Sequence, residues 1–278
     1  MVHHFDHRFG TFEGQTESQA NMNKLPELTP EDHADPYKVV LPRYWIPKHE
    51  VDERLEGRWD RKWLIGWRDI TSSTNERTMI SATIPLVGSG NSIFLLIPDK
   101  DVNIDQLTRL ITCQHTYAMD YLFRLKVGGS HINYISIRQV PIINTMINYN
   151  ISCLIHNSVL ELIYNSNEMQ SYASDCGYYG RPFVWNEDRR FLLRCELDAI
   201  YFQLYEIARD DVDYIMETFP IVRKKDEAKY GEYRTKRVIL EVYDRIAESI
   251  RTGEPYQTLL DPPPADPSLA HPPKASDP

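Results

Sequence analysis

The run Ser92-Ile93-Phe94-Leu95-Leu96-Ile97, followed after a short polar link by Asn103-Ile104-Asp105-Gln106-Leu107, decides how the chain is read. The first segment is a short apolar run entered from Gly88-Ser89-Gly90-Asn91, the pattern of a strand leaving a tight turn. The second opens a different period. Apolar residues fall at Ile104, Leu107, Leu110, Ile111, Ala118, Leu122 and Leu125, which is helical spacing, with Asn103 or Asp101 available as the cap. A change from strand to helix period within one segment predicts an α+β chain.

Working upstream, Val39–Ile46 is β-branched and aromatic and ends at Pro47, and Lys62–Ile70 and Arg77–Ile84 follow. The turn Ser72-Ser73-Thr74-Asn75 separates the last two. Together with Ser92–Ile97 these predict a twisted, mostly antiparallel sheet. Working downstream, Val127-Gly128-Gly129-Ser130 breaks the helix, and Ile132–Ile137 alternates like a strand that stops before Pro141. Residues 37–150 therefore form an expected α/β domain.

From Ile151 the chain reads as helices, about Ile151–Ser174, Glu187–Ile207, Asp210–Thr218 and Glu227–Thr252. This is a helical C-terminal region, 151–253. Two flanks complete the division. Residues 1–36 read as an acidic arm with one short helix beginning at Thr29-Pro30-Glu31-Asp32. Residues 254–278 hold eight of the 18 prolines and are expected to be disordered or polyproline-like, because such a segment cannot build a core.

Composition excludes several classes. Apolar residues make up 42% and charged residues 26% of the 278, which is globular usage. No apolar run approaches the roughly 20 residues that span a bilayer, and the first thirty residues are polar and acidic, unlike a secretory signal. The four cysteines are scattered, with no C-x-x-C pair, so the reading is a reducing cytoplasm, no structural zinc and no other metal. The net charge of −9 argues against nucleic acid only until it is located. The acidity lies in the two flanks and in Glu187–Glu217, while Arg223–Arg237 carries seven basic residues against three acidic.

Catalytic signatures are missing. There is no G-x-G-x-x-G after a strand, no Walker loop, no G-x-S-x-G and no H-E-x-x-H. Glu227-Ala228-Lys229 matches E-x-K, but in a charged helical stretch it reads as a solvated helix face. His3, His4 and His7 sit in the expected arm and read as polar filler. Several segments instead have the makings of a DNA-contacting surface. One is Arg58, Arg61, Lys62, Arg68, the turn residues Ser72, Thr74 and Asn75, and Arg77; a second is Arg124, Lys126, Gly128, Gly129, Ser130, His131 and Asn133; the basic run Arg223–Arg237 is a third. Cationic side chains hold phosphates, hydroxyl and amide side chains read base edges, and glycines let a backbone approach a phosphate. The bland readings are solubility for the strand-flanking cations and a helix C-cap for Gly128-Gly129.

Six further words, in order, carry a resemblance. They are Phe5-Asp6-His7-Arg8 with Tyr44-Trp45, Gly66–Ile70 with Thr74–Thr78, Met119–Gly129, Ile137–Ile142, Leu197–Tyr201 and Asp213–Val222. On these the chain resembles the C-terminal target-recognition region of large adenine-specific (N6) DNA methyltransferases of restriction–modification and phage-defence systems, of the type IIG-like kind. The likeness covers nearly everything except the proline-rich tail. It implies a target-recognition-like fold that binds double-stranded DNA. It also implies a partner catalytic subunit or domain that holds S-adenosylmethionine and flips and methylates the adenine. The glycine motif for that cofactor and the N-P-P-Y loop do not occur here; Asp261-Pro262-Pro263-Pro264 lacks the aromatic. No catalytic residue carries over, and the chain corresponds to a separately encoded or truncated C-terminal portion. The alternatives from the residues alone are a non-DNA protein-interaction module or a nonfunctional remnant.

Overall fold

A computed structural model describes residues 1–143 and 148–273. Its sheet has three strands, β1 (Trp63–Arg68), β2 (Ser81–Pro85) and β3 (Ile93–Leu96), all antiparallel, with β1 in the centre. Ile65 lies opposite Thr83 on one side and Leu96 on the other. Trp63, Leu64, Ile65 and Trp67 are all buried, so β1 is covered on both faces, which explains its unbroken apolar sequence. Gly66 lets β3 lie close: a Cβ there would meet the Ile93 side chain at 2.7 Å.

Three short helices precede the sheet, α1 (Glu17–Asn21), α2 (Pro30–Ala34) and α3 (Lys48–Leu55). After β3 come α4 (Ile104–His115), α5 (Tyr117–Lys126) and α6 (Tyr134–Arg138). The helical region follows as α7 (Tyr149–Ile163), α8 (Gln170–Asp175), α9 (Glu187–Leu204), α10 (Arg209–Glu217), α11 (Pro220–Tyr230) and α12 (Arg234–Thr252). The chain is thus α+β, as expected. The expected caps hold: Asn103 starts α4 with a reciprocal capping box through Gln106, and Thr29 does the same for α2 through Asp32. No described helix is long and apolar enough to cross a membrane.

Several expected elements change. Val39–Ile46 is not a strand. Pro42 and Pro47 offer no N–H, and Leu41 is already tied to the backbone of Phe12 and the hydroxyl of Thr11, so Tyr44 and Trp45 stand 78% and 79% exposed. Arg77–Ile84 forms β2 only from Ser81, because the N–H groups of Thr78 and Met79 are taken by the Asp120 carboxylate instead of a strand. The helix over 104–125 breaks at Thr116, whose hydroxyl donates to Cys113 and accepts the Met119 N–H, capping a new helix at an angle to the old one. Ile132–Ile137 is not a strand. Asn133 caps α6 through Ser136, and only an isolated bridge, Ile70 to His131, remains of the pairing. The last two helices divide at Gly231, which takes a left-handed conformation at φ 76°.

The flanks differ most. Val2, His4, Phe5, Asp6, His7 and Arg8 are buried, not an extended arm. Arg8 is fully buried. Its guanidinium donates to the carbonyls of His33, Asp35, Lys38 and Asn165 and to the Asn165 side chain, joining the first residues to the end of α7. Residues 254–273 form an ordered strap, contrary to the expected disorder; 274–278 lie outside the described residues. Glu196 on α9 accepts from the Tyr256 and Thr258 hydroxyls and the Leu259 N–H. Glu161 accepts the Ala265 N–H, and Val184 donates to Leu269. Carbonyl and carboxylate partners fix a segment that apolar content could not. Buried residues of the sheet, of α4 and α5, and of α7, α9 and α12 form one core, with α4 against α7 and α5 against α9.

Leu260, 6% exposed, reports on the strap directly. Leu260→Ala is expected to lower stability by about 2–4 kcal/mol in urea denaturation, the range for a truncated core leucine. A change below about 0.5 kcal/mol, typical of surface positions, would mean that the strap is not seated in solution.

Candidate nucleic-acid interface

Asp120, on the buried face of α5, organises the neighbourhood of the first two candidate segments. Its Oδ1 accepts the N–H groups of Thr78 (2.8 Å) and Met79 (2.6 Å). Its Oδ2 lies 3.6 Å from Arg77 Nε and 3.3 Å from Arg124 Nε, and its side chain has no exposed surface. A buried carboxylate needs several such partners to offset its lost hydration.

The two arginines are thereby committed. Arg77 is buried, donates to the His115 carbonyl (2.6 Å) and sits 4.0 Å over the Tyr117 ring. Arg124 has five N–H donors and engages all of them. Nε faces Asp120, Nη1 donates to the carbonyls of Ser73 and Thr218, and Nη2 donates to those of Asn75 and Glu76. Its face covers the Phe219 ring at 4.1 Å. Neither side chain has the freedom expected of a phosphate contact. Arg124 holds the 72–76 turn in shape, and Arg77 anchors the turn's far end.

What they build is a rim. The turn after β1 and the loop after α5, far apart in sequence, run side by side. Thr71 N–H donates to Ser130 O (2.9 Å), and Ile132 N–H donates to Asp69 O (2.9 Å). Thr74, Asn75, Lys126, Gly128, Gly129, Ser130, His131 and Asn133 are exposed along it, and Ser72 is half-buried with its hydroxyl 2.8 Å from that of Thr74. His131 Nδ1 lies 2.8 Å from Asp69. Asn133 uses its oxygen as the α6 cap, leaving its NH₂ outward-directed chemistry as donor only. Lys126 makes no ion pair with any described residue. Gly128 and Gly129 have open space where a Cβ would stand, and neither has a positive φ, so the fold does not require glycine at either position. Arg68 is half-buried and lines a separate shallow recess with Met1, Phe9 and Lys24, away from the rim loops.

Behind Arg77 lies a cleft of about 440 Å³ between the N-terminal segment, the α4–α5 junction, α9 and α11. Of its residues sequence reading singled out Arg77, and Lys225 and Lys229 within the basic run, as DNA-contact candidates and joined them into no cleft, because the lining comes from five distant segments. His4 Nε2 bonds the Met79 carbonyl (2.6 Å) and His115 Nε2 bonds that of Ser81 (3.0 Å), so each is a neutral imidazole donating its Nε2–H. Of the histidines read as arm filler, His4 and His7 are buried and His3 is half-buried. Burial, ahead of the nearby Arg77 charge, pushes His4 well below its ordinary 6.5 and His115 down to about 3. Burial likewise pushes the Asp198 carboxyl up to about 7, against the pull of Arg77 and of the Tyr117 N–H that it accepts at 2.7 Å.

Two predictions concern this region. Asp120→Asn keeps an acceptor for the backbone but strands two arginines, and a loss of about 3–5 kcal/mol is expected on thermal or chemical unfolding. The second concerns pH. Between about pH 4 and 6.5 the unfolded chain protonates His4 and His115 and the native chain does not, which favours the native state as pH rises. In the same window the native chain keeps Asp198 protonated and the unfolded chain, at its ordinary 3.8, does not, which acts in the opposite sense. His3, lowered to about 4 in the same cleft, acts with the two imidazoles, and together they outweigh the one carboxyl, so these groups make stability rise with pH across this window. Asp198→Asn removes the opposing group and should steepen that rise; an unchanged slope would place the proton elsewhere.

Comparison of the chain with known protein families, with curated proteins and with solved structures found no match.

Proposed function

We propose that the chain is the DNA sequence-recognition portion of an adenine-N6 DNA methyltransferase system of restriction–modification or phage defence, working with a separate catalytic subunit or domain. The observation that carries this reading is the convergence of the 70–75 turn and the 126–133 loop into one exposed rim. The rim combines the elements that duplex recognition needs. Thr74, Asn75, Ser130 and Asn133 present hydroxyl and amide groups suited to base edges in the major groove. Gly128 and Gly129 leave backbone N–H groups open to a phosphate, in a conformation that any residue could adopt. Lys126 supplies an unpaired cation beside them. Arg124 acts one step back, as the positioning residue that fixes the turn. The partner would bind S-adenosylmethionine, extrude the adenine and methylate it.

A specific observation favours the second reading, a protein-interaction module. Ile70, Leu125 and Ile135 flank the rim at 60%, 67% and 67% exposure, and few unpaired cations stand between them. An apolar, nearly neutral edge suits a protein surface.

The two readings separate on one measurement. With duplex DNA at low salt, binding is expected to be weak and to fall with salt at a log–log slope of only about −1 to −2, because few phosphates are neutralised. The double variant Gly128→Ala, Gly129→Ala should leave unfolding stability within about 1 kcal/mol of the parent, or raise it slightly. It should nevertheless weaken DNA binding, as should Lys126→Ala. DNA retention that is absent at low salt, or indifferent to all three substitutions in the complex with the catalytic partner, would sink the DNA reading.

A further inference from the structure

The cleft behind Arg77 continues into a second recess of about 340 Å³, and the two share His3, His4, Glu76, Glu187, Arg194 and Lys225. Its size is that of small-molecule sites. Most charged groups on its walls are already matched. Lys225 pairs with Glu76, and Arg77 with Asp120. Asp226 caps α12 by accepting the Thr235 N–H, Glu187 accepts from Trp185, and Asp6 pairs with His33. Lys229 lies 4.9 Å over the Tyr230 ring.

Three basic or imidazole groups keep unpartnered atoms, while of the acids on the same walls the Glu27 carboxylate has no partner among the described residues and Glu187 only the neutral indole N–H of Trp185. Arg194, half-buried on α9, makes no hydrogen bond or ion pair with any described residue. Arg190, one turn earlier, is buried; it donates to the carbonyls of Leu162 and Phe5 and stacks on Trp185 at 3.6 Å, but its Nε has no partner. His115, 4% exposed, has an unpartnered Nδ1, which accepts because Nε2 carries the proton. Arg190 and Arg194 face the same recess at i and i+4, a spacing at which like charges repel. Burial, followed by the charge of Arg194, lowers the Arg190 guanidinium to about 9. An anion between the two arginines would relieve that repulsion, and a fork geometry suits an oxyanion with two oxygens.

We propose that this cleft binds a small phosphate-bearing molecule, its oxyanion held by Arg194 beside Arg190 and a hydroxyl or N–H of the ligand donated to His115 Nδ1. Aromatic stacking contributes little, because Arg77 already covers the Tyr117 ring and Arg234 lies over the Phe191 and Tyr230 rings at 4.2 Å and 4.6 Å. Selectivity therefore rests on the charged head and its hydrogen bonds. The site does not depend on the DNA reading, since none of the rim residues on the 126–133 loop lines it.

The test is titration of the full chain with AMP and with inorganic phosphate, against sodium chloride at matched ionic strength, followed by calorimetry and thermal shift. Saturable binding of AMP or phosphate is expected, weakened about tenfold or more in Arg194→Gln and unchanged in Lys126→Ala. Arg194 is half-exposed, so the variant should fold, and its unfolding midpoint without ligand checks this. Absence of saturable binding up to about 10 mM, or equal binding in Arg194→Gln, would overturn the site. A short DNA duplex forms the second arm. If only the duplex binds and Arg194→Gln weakens it, the phosphate belongs to a nucleic-acid backbone, and a small-molecule site is excluded.

Discussion

One buried carboxylate governs the geometry of this protein. Asp120 has no exposed surface and holds two backbone N–H groups and one arginine from the 77–79 segment and a second arginine, Arg124, from its own helix. A charge in that position is stable only while all its partners are in place. It therefore ties α5 to the entrance of β2, ends the strand pairing that Thr78 and Met79 would otherwise continue, and orients Arg77 and Arg124 in opposite roles. Arg77 closes one wall of the cleft, and Arg124 gathers the carbonyls of the 72–76 turn. The rim and the cleft are thus two sides of a single polar centre.

The same physics orders the flanks. Residues 1–10 and 254–273 have too few apolar side chains to dock by burial alone, yet Arg8 reaches from the first segment to carbonyls of His33, Asp35, Lys38 and Asn165, and Glu196 and Glu161 accept from the hydroxyl and N–H groups of the second. Buried charges that are satisfied only by distant main-chain groups specify a position more sharply than apolar contact does. His4 and His115 belong to this pattern: each bonds a carbonyl near the start of β2 through Nε2, and their rings stack with centroids 4.8 Å apart.

The rim gains its chemical character by subtraction. Its strongest cations are used internally, so it presents hydroxyls, amides, open glycines and Lys126 rather than a positive face. Contacts of that kind discriminate more than they attract. A recognition element dependent on a partner for affinity fits this balance. The cleft differs in that Arg190 and Arg194 lie together on one wall, with the carboxylates of Asp6, Glu27, Glu76 and Glu187 lining the same recess.

What was legible in the sequence was whatever depends on local spacing. The α+β class, the central strands, the helix caps at Thr29 and Asn103, and the helical character after residue 151 follow from period and capping chemistry; of the four helices expected there, Glu187–Ile207 and Asp210–Thr218 stand nearly where expected, while Ile151–Ser174 and Glu227–Thr252 are each broken. The exposure of Thr74, Asn75 and the polar residues of 126–133 was also legible, from turn residues and glycines. What only the tertiary structure decided was the partner of each charge. A lone arginine before a strand and another at a helix end look like free cations until a carboxylate 43 residues from Arg77 is brought between them. The same holds for the proline-rich strap and for the N-terminal histidines. Their composition forbids a core of their own, but hydrogen bonds to distant groups, which leave no periodic trace in sequence, seat them in one made by others.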